Sequence, residues 1–101
     1  MVRKKKMEIS YEFYNKLVEV YKEVLIELGY PFGEVPIYHV WKKMKEKGFI
    51  PKKVSLKTFC NFMLKFSKVY PKVRVIIHPR WYNNPRIGWS LGIDGIEVKM
   101  E

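Results

Sequence analysis

The first third of the chain has an apolar residue at every third or fourth position, which is the spacing of one helix face. Ser10, just before this pattern, is a good N-cap residue, and Gly29, just after it, is a typical C-terminal stop. The sequence therefore predicts a first helix between Ser10 and Gly29. The apolar positions that define it are Phe13, Leu17, Val20, Val24 and Leu28.

The apolar arc of this first helix covers about half of its circumference, which is wider than one small core usually needs. Two explanations stay open at this stage. One is a homodimer contact, and the other is close packing of the helix between the other helices and a sheet. The residues that would make the dimer contact are Tyr11, Tyr14, Val18 and Leu25.

A second helix is predicted from Pro36, which fits the first helical turn, to Lys47, just before the helix-ending Gly48. Its periodicity separates an apolar side from a polar, largely basic side. The apolar side carries Ile37, Val40, Trp41 and Met44, and the opposite side carries Tyr38, Lys42, Lys45 and Glu46.

A third helix is predicted to begin after Ser55, a good N-cap residue, and to run to Val69, because Pro71 prevents its continuation. It is amphipathic at the helical spacing of about 100° per residue. Its apolar face consists of Leu56, Phe59, Cys60, Met63, Phe66 and Tyr70, and its polar face consists of Lys57, Thr58, Asn61, Lys65 and Lys68.

After Pro71 the apolar period changes to two, which is typical of strands. Three such runs occur, over residues 73–77, 87–91 and 96–100, and an Asp94-Gly95 turn signal precedes the last. The intervening segment 79–86 contains two prolines and two asparagines, so it is expected to be an exposed hairpin end. The pattern predicts a single α+β domain over residues 10–101, preceded by a flexible basic arm over residues 1–9.

The charge of this 101-residue chain, formally +10, is unevenly distributed. Residues 10–28 contain two lysines against four glutamates, whereas residues 42–86 contain thirteen lysines and arginines against one acid, Glu46. Such one-sided basic charge in a chain with enough apolar residues to fold indicates a polyanionic partner.

Several function classes are not supported by the residues present. The single cysteine, Cys60, cannot form an internal disulfide, and His39 and His78 lack partners at metal-ligand spacing. No glycine-rich phosphate loop occurs, and no apolar run approaches the roughly 20 residues of a membrane span. We therefore expect an intracellular protein that is not an enzyme, binds no metal or other cofactor and does not associate with membranes.

The polar face of the third helix is the best candidate for contact with bases, because an amide and a hydroxyl can hydrogen-bond base edges. Asn61 is the strongest base-contacting candidate, followed by Thr58. The backbone N–H of Ser55 at the helix N-terminus can contact a phosphate. The cations expected to contact phosphates are Lys42, Lys45, Lys52, Lys53, Lys57, Lys65, Lys68, Arg80 and Arg86.

Two further features are open to more than one interpretation. Trp81 and Tyr82 can stack on unpaired bases or fold back onto the core, and for Trp81 the core position is favoured. The basic run over residues 3–6 can follow phosphates as an arm or be a solvated chain end.

In its order of elements the chain resembles the winged helix-turn-helix family, in the small form of archaeal or viral members. The matching elements are a first helix, a basic second helix over residues 36–47, a recognition-like helix over residues 55–69 and a two-stranded wing. The resemblance covers nearly the whole chain. Two features depart from it, namely a connection of about seven residues between the second and third helices and a third strand at the C-terminus.

The resemblance implies that the third helix enters the major groove and that Arg80 and Arg86 contact the backbone or the minor groove. The expected function is binding of duplex DNA, as a small transcriptional regulator or a replication accessory protein. One alternative is a single-stranded DNA or RNA binder that uses Trp81 and Tyr82. The other is a protein-interaction module that docks through its first helix.

Overall fold

The computed structural model describes residues 7–29, 33–96 and 98. The described chain is an α+β domain in which helices pack against one small three-stranded antiparallel sheet around a common core. The elements in order are α1 (Tyr11–Leu28), β1 (Glu34–Pro36), α2 (Ile37–Glu46), α3 (Leu56–Val69), β2 (Val73–Ile77), a 3₁₀ turn (Pro79–Trp81), α4 (Pro85–Gly88) and β3 (Trp89–Ile93).

The three long helices begin and end close to the predicted positions, because the expected capping residues act as caps. The Ser10 hydroxyl accepts a 3.1 Å hydrogen bond from the Phe13 N–H, and Gly29 ends α1 with a φ of 80°. At the end of α2, Gly48 has a φ of 75°, and the Phe49 N–H donates to the Met44 carbonyl, which completes a Schellman motif.

The sheet has the strand order β1-β3-β2, with both neighbouring pairs antiparallel. At its centre Leu91 of β3 lies opposite Val35 of β1 on one side and Val75 of β2 on the other. One face of β3 is buried, with Trp89, Leu91 and Ile93 at most 5% exposed. This face lies in the same core as the buried sides of the three long helices.

The structure corrects the predicted strands in two places. Residues 34–36 form β1, which the sequence did not predict because three residues ending in a proline are too short to show a period of two. The run over residues 87–91 becomes a strand only from Trp89, because Pro85 begins a helical turn. Ile87, which lies in the predicted strand, belongs to α4 and is 59% exposed.

The predicted C-terminal strand over residues 96–100 is not present among the residues described. Ile96 and Val98 lie outside any strand, although both pack against the core. Glu97 and residues 99–101 lie outside the described part of the chain. The third strand of the sheet is therefore β1, paired on the far side of β3.

The wide apolar arc of α1 is explained largely by packing. Tyr21 and Leu25 are at most 1% exposed, and the Tyr21 hydroxyl donates a hydrogen bond to the Gly33 carbonyl. Leu25 therefore cannot belong to a dimer contact, which corrects that part of the expectation. Tyr11, in contrast, is 67% exposed, and the half-buried Tyr14 stacks on Tyr70.

Candidate nucleic-acid interface

The polar face of α3 points to solvent as predicted. We call its five exposed residues the outer stripe of α3; they are Lys57, Thr58, Asn61, Lys65 and Lys68. The opposite face is anchored in the core by fully buried side chains, among them Phe59, Met63 and Phe66. The burial of one face therefore sets which side chains α3 presents outward.

The N-terminus of α3 is closed by Ser55. Its hydroxyl oxygen accepts a 3.1 Å hydrogen bond from the Thr58 N–H, and the hydroxyl donates to Thr58 Oγ1 at 2.9 Å. The Ser55 side chain is thus engaged in capping. The Thr58 hydroxyl keeps its own proton for a further hydrogen bond, since it acts here as an acceptor.

The segment between α2 and α3 is held by Trp41. Its indole N–H donates a 2.9 Å hydrogen bond to the Val54 carbonyl, and Ile50 is buried in the core. Lys52 and Lys53, which lie between these anchors, are exposed. The two predicted phosphate-contacting lysines are therefore displayed on an anchored segment directly before α3.

The connection from β2 to β3, residues 78–88, is more ordered than the predicted hairpin end; we call it the β2–β3 loop. The Gly88 carbonyl accepts a 2.8 Å hydrogen bond from the His78 N–H at the base of the loop. His78 Nδ1 accepts from the Arg80 N–H at 3.2 Å, and the Trp89 indole donates to the Tyr82 carbonyl at 3.0 Å. These bonds fold the loop into its two short helical turns.

The two aromatic residues at the tip of this loop are exposed. Trp81 is 41% exposed and Tyr82 is 59% exposed. The expectation that Trp81 caps the core is therefore wrong. Gly88 instead packs closely against Trp81, since a Cβ added at Gly88 would lie 2.3 Å from the Trp81 Cβ and 2.6 Å from the Trp81 carbonyl oxygen. Trp89, in contrast, is buried.

A cleft with a volume of about 540 Å³ separates α3 from the β2–β3 loop. We call it the α3 cleft. Lys57 and Asn61 of the outer stripe border it on one side, and Tyr82 and Arg86 border it on the other. The structure thus brings together four site residues that the sequence placed on separate elements. Asn83 and Asn84 also line the cleft. The sequence predicts no binding role for them, because it indicates only that they lie in a turn-rich segment.

Two aromatic rings of α2 hold cations on the side of this cleft. The Arg86 guanidinium lies 4.7 Å from the centre of the Tyr38 ring, and the Lys45 ammonium lies 4.1 Å from the centre of the Trp41 ring. The two rings are themselves in contact, with centroids 5.6 Å apart. The Tyr38–Trp41 contact thus links the ring that holds Arg86, which borders the cleft, to the ring that holds Lys45.

Other basic side chains are neutralised by acids. Lys47 contacts Glu19 at 3.2 Å and Glu23 at 2.7 Å, while Lys43 contacts Glu23 and Glu27. Hydrogen bonds to these carboxylates raise the pKa of both lysines above the usual value. The acidic side of α1 thus faces α2.

Arg74 is also paired, with Asp94 at 2.8 Å and Glu34 at 3.6 Å. Lys42 is exposed but borders a shallow depression together with Glu27 and Glu46, beside the acidic edge of α1. Lys42 thus lies beside acids, and Lys45, on the same helix, is half-buried with its ammonium over the Trp41 ring. The other seven predicted phosphate contacts lie on exposed positions of α3, of the segment before it or of the β2–β3 loop, in a stretch without acidic residues between Glu46 and Asp94.

Of the predicted arm over residues 1–9, residues 1–6, which include the basic run 3–6, lie outside the described part of the chain, and Met7 packs against the core. Cys60 is buried, and this burial raises the pKa of its thiol to about 12.

Within the described residues, no group of three or more His, Cys, Asp and Glu side chains is arranged to hold a metal ion. None of the described helices has the length and apolar character needed to cross a membrane. Comparisons with protein-family models, with curated proteins and with solved structures find no match to this chain.

Proposed function

We propose that this chain binds duplex DNA through a winged helix-turn-helix surface, in which α3 enters the major groove and the β2–β3 loop acts as the wing. The observation that carries the proposal is that Lys57 and Asn61 of the outer stripe border the same cleft as the β2–β3 loop. A major groove about 12 Å wide admits one helix, and a neighbouring loop can then reach the backbone. The physiological role is that of a small transcriptional regulator or a replication accessory protein.

The distribution of charge supports a nucleic acid as the partner. Lys43 and Lys47, which contact α1, are paired with glutamates, whereas the sequence from Lys52 to Arg86 contains no acidic residue. Unpaired cations on one surface gain affinity by releasing counterions from the phosphate backbone. We assign phosphate contacts to Lys45, Lys52, Lys53, Lys57, Lys65, Lys68, Arg80 and Arg86.

Asn61 lies where a base contact is expected. It is exposed, it sits one helical turn after Lys57, and its amide offers both a donor and an acceptor, as bidentate contact with adenine requires. Thr58 adds a hydroxyl on the same stripe. These two residues provide the sequence preference in this proposal, while the cations provide affinity for any sequence.

The order of elements supports the winged arrangement. The second and third helices are joined by an anchored segment over residues 47–55, longer than the tight turn of the simplest members, and α3 is followed by an antiparallel pair of strands whose connection we assign as the wing. Among the described residues, the third strand of the sheet is β1, which precedes α2, and Ile96 and Val98 lie outside any strand.

The test is fluorescence-anisotropy titration of labelled duplex DNA, matched single-stranded DNA and RNA over a series of salt concentrations. We expect the tightest binding to the duplex, with a steep linear fall of log K against log salt concentration. Tighter binding to single strands at every salt concentration would contradict the proposal.

A matched pair of double variants locates the interface. Lys57→Gln with Lys65→Gln removes two charges from the outer stripe, and the salt slope should become shallower by about 2. Lys43→Gln with Lys47→Gln removes two charges that face α1, and the slope should stay close to that of the unmodified chain. Equal changes of the salt slope in both double variants would indicate that DNA responds to the total charge of the protein and not to a defined binding surface.

A single-stranded DNA or RNA binder is the second candidate, and the exposure of Trp81 and Tyr82 favours it. Base stacking on aromatic side chains is the usual basis of such binding. The same titration distinguishes this candidate, because Trp81→Ala should then weaken binding to single strands more than binding to the duplex.

A further inference from the structure

We infer that the α3 cleft holds one unpaired nucleotide, so that the protein binds DNA with an extruded or bulged base more tightly than a perfect duplex. The inference rests on the proposed function, since it places the cleft at the protein–DNA contact. It goes beyond that function by assigning a ligand to a cleft that groove binding alone does not require.

The cleft offers a ring for stacking. Tyr82 is 59% exposed, and its ring is tilted by 49° against the Trp89 ring, with centroids 6.1 Å apart. Trp89 is 5% exposed, so it supports Tyr82 from the protein side. Tyr82 is both exposed and part of the cleft lining, so a planar base in the cleft has an aromatic ring on which to stack.

Base edges are matched by amides. Asn61 borders the cleft from α3, and Asn83 and Asn84 border it from the β2–β3 loop. Each primary amide offers two N–H donors and one carbonyl acceptor, the same kinds of group that nucleobases carry on their hydrogen-bonding edges. Leu56, Cys60 and Trp89 provide apolar surface beneath these amides.

The phosphate of the nucleotide is matched by cations. Lys57 and Arg86 border opposite sides of the cleft, and the Arg86 guanidinium is placed by its contact with the Tyr38 ring at 4.7 Å. No acidic side chain lines the cleft among the described residues. A ligand that combines an aromatic base with an adjacent phosphate therefore suits this lining better than an apolar molecule or a cation.

The size of the cleft agrees with a single nucleotide. Its volume of about 540 Å³ lies within the range of roughly 300–1,000 Å³ that is usual for small-ligand sites. A base pair within a duplex presents its edges to the grooves and its faces to its neighbours, so it cannot stack on Tyr82. A base that is already unpaired is available at little unstacking cost.

The experiment compares a perfect duplex with the same duplex carrying one central bulged base, by anisotropy at a fixed salt concentration. We expect the bulged duplex to bind about tenfold or more tightly than the perfect one, which is within the contribution of one base–aromatic stack. A mixture of free deoxynucleoside monophosphates, added as competitor, shows whether a nucleotide outside a strand occupies the same cleft.

Variants assign the gain to the cleft. Tyr82→Ala should abolish the preference for the bulged duplex, and Tyr82→Phe should retain it. The Tyr82 carbonyl that accepts from the Trp89 indole belongs to the backbone, so both variants keep that hydrogen bond. Tyr11→Ala, which changes an exposed tyrosine on α1, is the control and should keep the preference.

A 5-iodouracil at the bulged position provides a direct readout, because on irradiation it crosslinks to an aromatic ring stacked on it. Recovery of the crosslink on Tyr82 by mass spectrometry would support the inference. Equal affinity for bulged and perfect duplexes, with no Tyr82 crosslink and no competition by free nucleotides, would overturn it and leave duplex binding intact. Absence of binding to any DNA would overturn the proposed function as well.

Discussion

The indole N–H of Trp41 donates a 2.9 Å hydrogen bond to the Val54 carbonyl, and this bond joins the middle of α2 to the chain directly before α3. The same indole ring carries the Lys45 ammonium at 4.1 Å. One side chain thus positions both the start of the proposed recognition helix and one of the cations beside it.

Trp41→Phe should therefore lower both stability and DNA affinity. Loss of this bond leaves a half-buried carbonyl without its partner, and we expect the free energy of unfolding to fall by about 1 to 2 kcal/mol. Urea denaturation measures this loss, and anisotropy on the folded variant measures the change in affinity. An unchanged denaturation midpoint would show that the bond contributes nothing to the anchoring.

Gly88 is required by its contact with Trp81. A Cβ at position 88 would lie 2.3 Å from the Trp81 Cβ and 2.6 Å from the Trp81 carbonyl oxygen, so the backbone would have to move. We expect Gly88→Ala to destabilise the chain by about 1 to 3 kcal/mol, as overpacking does, and to weaken DNA binding because the β2–β3 loop shifts.

Gly29→Ala is the matched control for that prediction. Gly29 has a φ of 80°, so alanine there is strained, but nothing lies within 4 Å of the added Cβ. It should lower the melting temperature and leave DNA affinity unchanged at temperatures where the chain is folded. If both variants weaken binding equally, the loop has no special part in it.

Asn61 and Lys68 should differ in how they affect specificity. Asn61→Ala should reduce the difference in binding free energy between a preferred site and random duplex by about 1 to 3 kcal/mol, because it removes a base contact. Lys68→Ala should weaken all sequences alike and make the salt slope shallower by about 1. Selection of duplexes from a random library followed by titration checks this, and identical effects of the two substitutions on random DNA would count against the assigned roles.

The ion pairs between α1 and α2 predict a dependence of stability on pH. The pKa values of Lys43 and Lys47 are raised by hydrogen bonds to glutamates. A lysine with a higher pKa in the folded than in the unfolded chain contributes stability below the unfolded pKa, and that contribution is lost as the pH rises through the folded pKa. The paired side chains are 19–57% exposed, so solvent screens the ion pairs and their contribution is small.

We therefore expect the unmodified chain to be slightly more stable than the Lys43→Gln, Lys47→Gln variant at pH 8, and we expect this gap to shrink as the pH rises above the ordinary lysine pKa of about 10.4 and through the raised values. Chemical denaturation at pH 8 and at a pH above the raised lysine pKa values measures the difference in the free energy of unfolding between the two chains. A gap of the same size at both would mean that the lysines stabilise through their apolar stems and not through charge.

Cys60 should be unreactive in the folded chain. It is 1% exposed, and burial raises the pKa of its thiol to about 12, so very little thiolate forms near neutral pH. Ellman's reagent at pH 8 should label it slowly in the native chain and rapidly after denaturation in guanidinium chloride. Rapid labelling of the native chain would mean that the floor of the α3 cleft opens to solvent.

The helices were predictable because their signals are local. Ser10, Ser55 and Gly48 act through hydrogen bonds or backbone angles within a few residues, so their effect can be inferred from the chain itself. The short strand β1 was not predictable, since it exists only because β3, more than fifty residues later, offers it a partner. Trp81 was misplaced for a similar reason, because only the tertiary packing makes Trp89 buried at 5% exposure and leaves Trp81 exposed at 41%.

The amino-acid sequence by itself determined the three amphipathic helices, the outer stripe of α3 and the concentration of basic residues after Glu46, because periodicity, capping and charge are properties of neighbouring positions. Only the tertiary structure decided which cations are neutralised. Lys43 and Lys47 form ion pairs with glutamates of α1, whereas Lys57 and Arg86 line the same cleft without an acidic partner there. Both outcomes depend on how the helices pack against one another through the core. This packing brings together residues that are far apart in the chain, so it cannot be inferred from the pattern of neighbouring positions.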